Sequence, residues 1–178
     1  VHGDKNLKQR IDLLKNFGIK NEDEVVMPGI NGKLDEVRAA IGRIMLNYVD
    51  DEQNKRKQLH KVYDEELGGV EGIKLMPKCG ENVKSNYQYY VIRIDENIFG
   101  KSRDEVYNEL RKYNVYPRKY FHPLCNEFTC YRQLPSSSVE NLPIANVIVK
   151  QVLSLPMYGD LTADDVRKIC AIIRLIDR

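Results

Sequence analysis

Apolar residues recur at steps of three and four along residues 34–67. The first half of this stretch carries Leu34, Val37, Ile41, Ile44, Met45 and Tyr48, and the second half carries Leu59, Val62, Tyr63 and Leu67. This spacing places each set on one side of an α-helix, with a polar run between the two sets. The pattern predicts one long helix of about nine turns that ends at Gly68-Gly69. We expect its first half to lie at a partner surface and its second half under a small domain.

Shorter patterns on either side of this helix predict further elements. Asp4 is the predicted cap of a first helix, with apolar Leu7, Ile11 and Leu14 on one face. Aromatic and β-branched residues predict strands within residues 72–77, 87–94 and 152–155.

Capping patterns predict three helices among and after these strands. Ser102 and Glu105 form a capping-box pattern at the start of one of them. A second is predicted from about Leu142, since Pro143 is tolerated in a first turn. Thr162 is the predicted cap of the last helix. Its buried stripe is predicted to contain Val166, Ile169, Ile173 and Ile176. Three or four strands with helices between them indicate a small α/β layer.

Composition excludes several function classes. The 178 residues include 28 Lys and Arg against 26 Asp and Glu, a formal net charge of +2. This balance gives no electrostatic basis for a nucleic-acid surface. No apolar run approaches the roughly 20 residues that span a bilayer, and the chain does not open on a signal segment. We therefore expect no membrane partner and a cytoplasmic location.

The four cysteines are Cys79, Cys125, Cys130 and Cys170, and none forms a Cys-x-x-Cys pair. They are too few to predict a dense disulfide framework. His122 lies close to two of them, which raises the possibility of a zinc site. A fourth ligand is not evident and the spacing matches no closed structural site, so we predict no metal.

The first candidate binding feature is the segment around Asn31-Gly32, which reads as a turn in which glycine tolerates positive φ. Lys33 adds a mobile cation where the long helix is predicted to begin, so a phosphate could bind there. The alternative is an ordinary turn that leads into a helix.

The second candidate feature is the segment Arg118-Lys-Tyr-Phe-His-Pro-Leu124. Cations, two aromatic rings and an imidazole crowd a stretch that prolines fix in an extended conformation. The alternative is that Tyr120 and Phe121 are ordinary core residues and that Arg118 and Lys119 form a solvated edge.

Several motifs together resemble one family. They are Asn-x-Lys-Leu-x-Glu-Val-x-Ala-Ala-Ile-Gly from Asn31, the segment Tyr120–Leu124, Leu-Ser-Leu-Pro-Met-Tyr from Leu153, and Leu161-Thr-x-x-Asp165. In this order, and over nearly the whole chain, they resemble the DegT family of pyridoxal-phosphate-dependent nucleotide-sugar aminotransferases. The resemblance implies the C-terminal small α/β domain of a fold-type-I aminotransferase with a long connecting helix. Residues 1–33 would end the large domain and form a cross-dimer loop, 34–67 the interdomain helix, and 68–178 the small domain.

The resemblance also implies a cofactor and a homodimer. In the family, the asparagine at the position of Asn31 reaches across the dimer to the phosphate of pyridoxal 5'-phosphate, and Lys33 falls where a basic residue is usual. The active site would therefore be shared between subunits. A symmetric interface would bury Leu34, Val37 and Ile41.

The resemblance places Arg118, Tyr120, Phe121 and His122 beside the substrate, a nucleotide-linked keto-sugar that receives its amino group typically from glutamate. The aromatic rings would cover the sugar, and His122 would hydrogen-bond a hydroxyl or a phosphate. Family members often carry histidine where this chain has Cys125. The Tyr-Phe-x-Pro-Leu form resembles members that act on 3-keto sugars.

The family's Schiff-base lysine lies upstream of the position that matches Val1, so the resemblance implies no catalytic residue in this chain and no turnover by the chain alone. A rival hypothesis is a non-catalytic module that binds sugar nucleotides or partners and has lost the chemistry. A lysine in the upstream reading frame would favour the enzyme.

Overall fold

A computed structural model describes residues 3–77, 80 and 82–176. Cys79, one of the four cysteines, lies outside the described residues. The chain divides into two compact units, Val1–Val49 and Asp50–Arg178, and each is described by itself. Of the helices that the structure describes, none has the length and apolar character that a membrane crossing requires.

The first unit contains two helices and a small hairpin. In chain order these are α1 (Lys5–Leu14), β1 (Ile19–Asn21), β2 (Glu24–Val25) and α2 (Glu36–Leu46). The Asp4 cap is confirmed, because its carboxylate accepts hydrogen bonds from the amides of Asn6 (2.8 Å) and Leu7 (3.2 Å). The antiparallel hairpin was not predicted, because each of its strands is only two or three residues long.

The end of α1 supports the segment that follows the hairpin. The Ile30 amide donates to the Leu14 carbonyl and the Gly32 amide to the Lys15 carbonyl, both at 2.8 Å. The last carbonyls of a helix have no partner inside it, so residues 30–32 satisfy groups that would otherwise need water. The backbone on both sides of Asn31 is thereby fixed to α1.

The structure differs from the prediction of one helix over 34–67. It has two helices, α2 and α3 (Val49–Leu67), with Asn47 and Tyr48 between them. The amides of these two residues donate three residues back, to Ile44 (3.1 Å) and Met45 (3.0 Å), and this tightens the last turn of α2. The predicted end of the second helix at Gly68 is confirmed.

The second unit is a three-stranded antiparallel sheet with helices. Its elements after α3 are β3 (Ile73–Leu75), β4 (Tyr90–Ile94), α4 (Glu96–Phe99), α5 (Arg103–Lys112), α6 (Pro143–Ile148), β5 (Val152–Leu155) and α7 (Ala163–Ile176), with short 3-10 turns at Cys125–Glu127, Pro135–Ser137 and Val139–Asn141. The strand order is β3-β4-β5. Arg118 pairs with Ser154 and extends the sheet beyond β5.

The core of this unit joins α3, the sheet, α5 and α7. The predicted stripe of α7 is confirmed, since Val166, Ile169, Ile173 and Ile176 are all buried. The capping box of α5 is also confirmed, with Ser102 and Glu105 bonded to each other's backbone. The strand predicted over 87–94 starts only at Tyr90, because Tyr87 has a φ of 51° and leaves the extended conformation.

Candidate functional site

Asn31 and Lys33 lie in the first unit, and the local structure corrects two predictions made for them. Asn31 forms an antiparallel bridge with Asn16, and φ of Gly32 is not positive, so the predicted Asn-Gly turn is wrong. The backbone is extended here because the Gly32 amide is held by the carbonyl of Lys15.

The predicted helix N-terminus beside Lys33 is also wrong. Helix α2 begins at Glu36, and the Asp35 side chain caps it by accepting a hydrogen bond from the Arg38 amide at 2.9 Å. A carboxylate therefore occupies the positive end of the helix dipole, where an anion was predicted to bind. Any anion near Lys33 has to be held by side chains.

These side chains fit a phosphate in their chemistry. Asn31 and Lys33 are exposed, and within the described ranges neither side chain has a hydrogen-bond or ion-pair partner. An amide and an ammonium are both good donors to a phosphate dianion. The two residues can thus supply the donors that the phosphate of pyridoxal 5'-phosphate requires.

The second candidate segment lies in the other unit and begins as a strand. Arg118 and Ser154 exchange two backbone hydrogen bonds, at 2.9 and 2.8 Å. The extended run is shorter than predicted, because the chain turns after Lys119 and the His122 amide donates to the Lys119 carbonyl at 3.0 Å. The turn places Tyr120 and Phe121 at its tip.

The turn carries part of an aromatic cluster. The rings of Tyr120 and Phe121 stack with their centroids 4.2 Å apart. The ring of Tyr89 packs against that of Tyr120, with 4.9 Å between the two centroids. Phe121 is 66% exposed, so it is not an ordinary core residue. His122 is exposed as well. The cluster offers ring faces to which a sugar or another flat group could bind.

Arg118 also lines a cavity of about 670 Å³. Its polar and aromatic lining includes Tyr89, Tyr116, Ser154, Tyr158 and Lys168. The structure shows no acceptor for the Arg118 guanidinium anywhere in residues 3–77, 80 and 82–176. By contrast, Lys168 is paired with Asp164 at 3.1 Å, which raises the pKa of this lysine. Arg118 is therefore the cation of the cavity that is open to a ligand.

Lys119 is not the solvated edge residue that the alternative hypothesis described. Its ammonium lies 2.7 Å from the carboxylate of Asp104, and this hydrogen bond is the main cause that lowers the pKa of Asp104. Sequence reasoning missed Asp104, Tyr89 and Tyr158. Nothing in the sequence singled out Asp104, because acidic residues are common in the first turn of a helix, where they interact favourably with the helix dipole.

The three cysteines that the structure describes lie apart from any cluster of metal-binding side chains. Cys125 and Cys130 are exposed free thiols and Cys170 is buried. In the described part of the chain, no three His, Cys, Asp or Glu side chains come together in a way that could hold a metal ion.

Comparison with known proteins decides the family. The model of the DegT/DnrJ/EryC1/StrS aminotransferase family matches residues 1–174. The chain belongs to this family. The fold agrees, since this α/β chain matches sugar aminotransferase structures over about 45% of their length, as a partial fold-type-I domain does.

Two relatives of this DegT family chain are named dTDP-4-amino-4,6-dideoxy-D-glucose transaminase. The Escherichia coli relative is 45% identical over 173 residues, which are 97% of this chain and 46% of the relative. The Shigella dysenteriae relative is 35% identical over 99% of this chain and 47% of its own length. The chain thus spans about half the length of the curated relatives it matches.

Two solved structures that this chain resembles give the same proportion. DesI in the presence of its TDP-sugar product is 31% identical, with a TM-score of 0.86 over 99% of this chain and 44% of that one. DesV from S. venezuelae in complex with a ketimine intermediate is 26% identical, with a TM-score of 0.88 over 100% of this chain and 46% of that one.

Proposed function

We propose that this chain is part of a pyridoxal-phosphate-dependent enzyme that transfers an amino group, typically from glutamate, to a keto nucleotide-sugar. The substrate would be of the dTDP-keto-6-deoxysugar type, and the product would serve surface polysaccharide or deoxyaminosugar biosynthesis. The observation that carries the proposal is the 45% identity to the Escherichia coli dTDP-sugar transaminase along 97% of this chain. This identity supports the proposal because the aligned residues include both candidate segments, the one around Asn31 and the one that begins at Arg118.

The first unit would supply phosphate donors. When bound, pyridoxal phosphate would carry the amino group between the donor and the acceptor and would act as the electron sink for the C–H bonds broken in the transfer. The proposed part of Asn31 and Lys33 is to hold its phosphate across a dimer interface, with the Asn31 amide as a directional donor and the Lys33 ammonium as a charge. Because hydrogen bonds to the end of α1 fix the backbone around Asn31, this backbone needs no further ordering when the phosphate binds.

Exposed apolar side chains at the start of α2 support a homodimer. Leu34, just before the helix, is 64% exposed, and Val37 and Ile41 within it are 70% and 57% exposed in this single chain. Neighbouring exposed apolar side chains are typical of a surface that a partner covers. A twofold interface would bury each of them against a second copy and would bring Asn31 to the partner's cofactor.

The second unit would supply the sugar nucleotide site. The stacked rings of Tyr120 and Phe121 would cover the sugar, and His122 would hydrogen-bond a hydroxyl or a phosphate. Arg118, which lines the cavity, would pair with a phosphate oxygen. In this proposal the 178 residues bind and orient, no residue of this chain acts as the Schiff-base lysine, and the chain alone does not turn over.

An absorbance experiment on the longest natural polypeptide that contains this chain tests the proposal. We expect a visible band after addition of pyridoxal phosphate, covalent retention of the cofactor after borohydride, and bleaching of the band by glutamate. Keto-sugars linked to dTDP should then restore the band. A full-length protein that gives no band would contradict the transaminase and would favour a non-catalytic sugar-nucleotide-binding or interaction module.

A further inference from the structure

The residues just before the aromatic turn divide between the cavity and the body of the second unit. Tyr116 and Arg118 line the cavity, whereas Pro117 is buried and Lys119 contacts α5. Alternation is the rule for extended backbone, so fixing one side chain fixes the direction of its neighbours. An anchor on Lys119 would therefore hold Arg118 toward the cavity.

Asp104 provides such an anchor. One of its carboxylate oxygens, Oδ1, lies 2.7 Å from the Lys119 Nζ and 2.7 Å from the Nε of Arg103. Arg103 is itself buried, with 4% exposure, and its Nη1 donates to the carbonyls of Val149 (3.0 Å) and Val152 (3.1 Å). Through Arg103, hydrogen bonds thus connect the Asp104 carboxylate to the start of β5, the strand with which Arg118 pairs.

Tyr107 adds a second hold on the same lysine. The Lys119 Nζ lies 4.9 Å from the centroid of the Tyr107 ring, within the range of a cation–π interaction. The Tyr107 hydroxyl in turn accepts a hydrogen bond from the Arg111 Nη1 at 2.9 Å. An isolated surface ion pair would fix a loop only weakly, but this pair belongs to a network with a buried guanidinium at one end.

We propose that Asp104 is a positioning residue: through Lys119 it directs Arg118 and the aromatic turn at Tyr120 toward the sugar nucleotide. The inference rests on the proposed function, because it takes Arg118 and Tyr120 as substrate-binding residues. Lys119 is not assigned as a phosphate ligand in this arrangement, since its ammonium is held by the Asp104 carboxylate. Asp104 touches neither substrate nor cofactor.

The kinetic test uses Asp104→Ala and Lys119→Met in the longest natural polypeptide that contains this chain. We expect each to raise the KM for a dTDP-linked keto-sugar roughly tenfold, because misplaced binding groups lose affinity, and to leave the glutamate half-reaction unchanged. The double variant should be no worse than either single variant, since both remove one anchor. Lys119→Arg, which keeps the cation, should restore most of the affinity.

Glu109→Gln is the matched control. It removes the partner of Lys112, which lies at 2.7 Å on the same helix but does not contact the substrate segment. The control should leave the KM unchanged. Equal losses in the sugar reaction and in the glutamate half-reaction of Asp104→Ala would overturn the proposal, because general damage to the fold would then explain both.

Amide hydrogen exchange gives a readout that does not depend on activity. Asp104→Ala should speed exchange at the amides of Arg118 and His122, while Glu109→Gln should not. Unchanged exchange in Asp104→Ala would overturn the anchor. A wild-type protein without any response to glutamate would instead contradict the proposed function, and the exchange comparison would still decide whether Asp104 fixes the segment.

Discussion

The hydroxyl of Tyr63 donates a hydrogen bond of 2.9 Å to the carbonyl of Pro156, 93 residues further along the chain. Tyr63 is fully buried, and its ring stacks on Tyr90 with centroids 4.4 Å apart. The bond joins the C-terminal part of α3 to the residue that follows β5. It therefore holds α3 against the end of β5, next to the cavity that Arg118 lines.

Tyr63→Phe should lower the free energy of unfolding by about 1–2 kcal/mol, because the partly buried carbonyl of Pro156 loses this donor while the ring stays in place. Urea denaturation measures this difference. Tyr158→Phe is the control, since Tyr158 is 52% exposed and its hydroxyl bonds to no residue of the described ranges. Equal effects of the two substitutions would refute a special role for the Tyr63 bond.

Gly72→Ala should destabilise the second unit by at least about 2 kcal/mol. Gly72 has a φ of 78°, and a Cβ there would lie 2.4 Å from the Phe99 amide nitrogen. Gly69→Ala is the matched control, because nothing lies within 4 Å of its Cβ position and its φ is not positive. The control should change thermal stability by less than about 0.5 kcal/mol, and a similar loss in both variants would contradict the steric argument.

Stability should fall in mildly alkaline solution because of Cys170. Burial raises the pKa of this thiol from its ordinary value of 9.0 to about 12. Between these pH values the unfolded chain releases the proton and the folded chain keeps it, so the stabilisation is complete below about pH 9 and decreases as pH rises toward 12. At about pH 10 the loss is about 1 kcal/mol.

Denaturation of wild type and Cys170→Ala at neutral pH and near pH 10 measures this contribution. The variant is less stable at both pH values because of the cavity it creates, but its stability should fall less with pH. Parallel pH dependences of the two proteins would show that the thiol does not contribute.

Arg118→Met should raise the KM for a dTDP-linked keto-sugar roughly tenfold or more, since a charged hydrogen bond to phosphate is lost. The glutamate half-reaction should not change. Arg132→Met is the control, because Arg132 is also exposed but does not line the cavity. An unchanged KM in Arg118→Met would place the phosphate elsewhere.

Periodicity and capping patterns predicted the second unit well. The stripe of α7, the capping box of α5 and the strand at 152–155 depend on residues close in sequence, and all three are confirmed. Such patterns act within one or two turns, so they are visible without tertiary information.

The errors share a physical cause. The Gly32 conformation is decided by a hydrogen bond to Lys15, 17 residues earlier, and the anchoring of Lys119 by a carboxylate 15 residues away. No local pattern encodes these pairings.

The support that α1 gives to residues 30–32 sets a limit on how the chain can be shortened. Helix α1 buries no residue of its own, so by packing alone it looks dispensable. Yet the carbonyls at its C-terminal end accept the hydrogen bonds that hold the backbone around Asn31 in its extended conformation. A variant that began after residue 15 would keep Asn31 and Lys33 in its sequence and lose the shape in which they are presented.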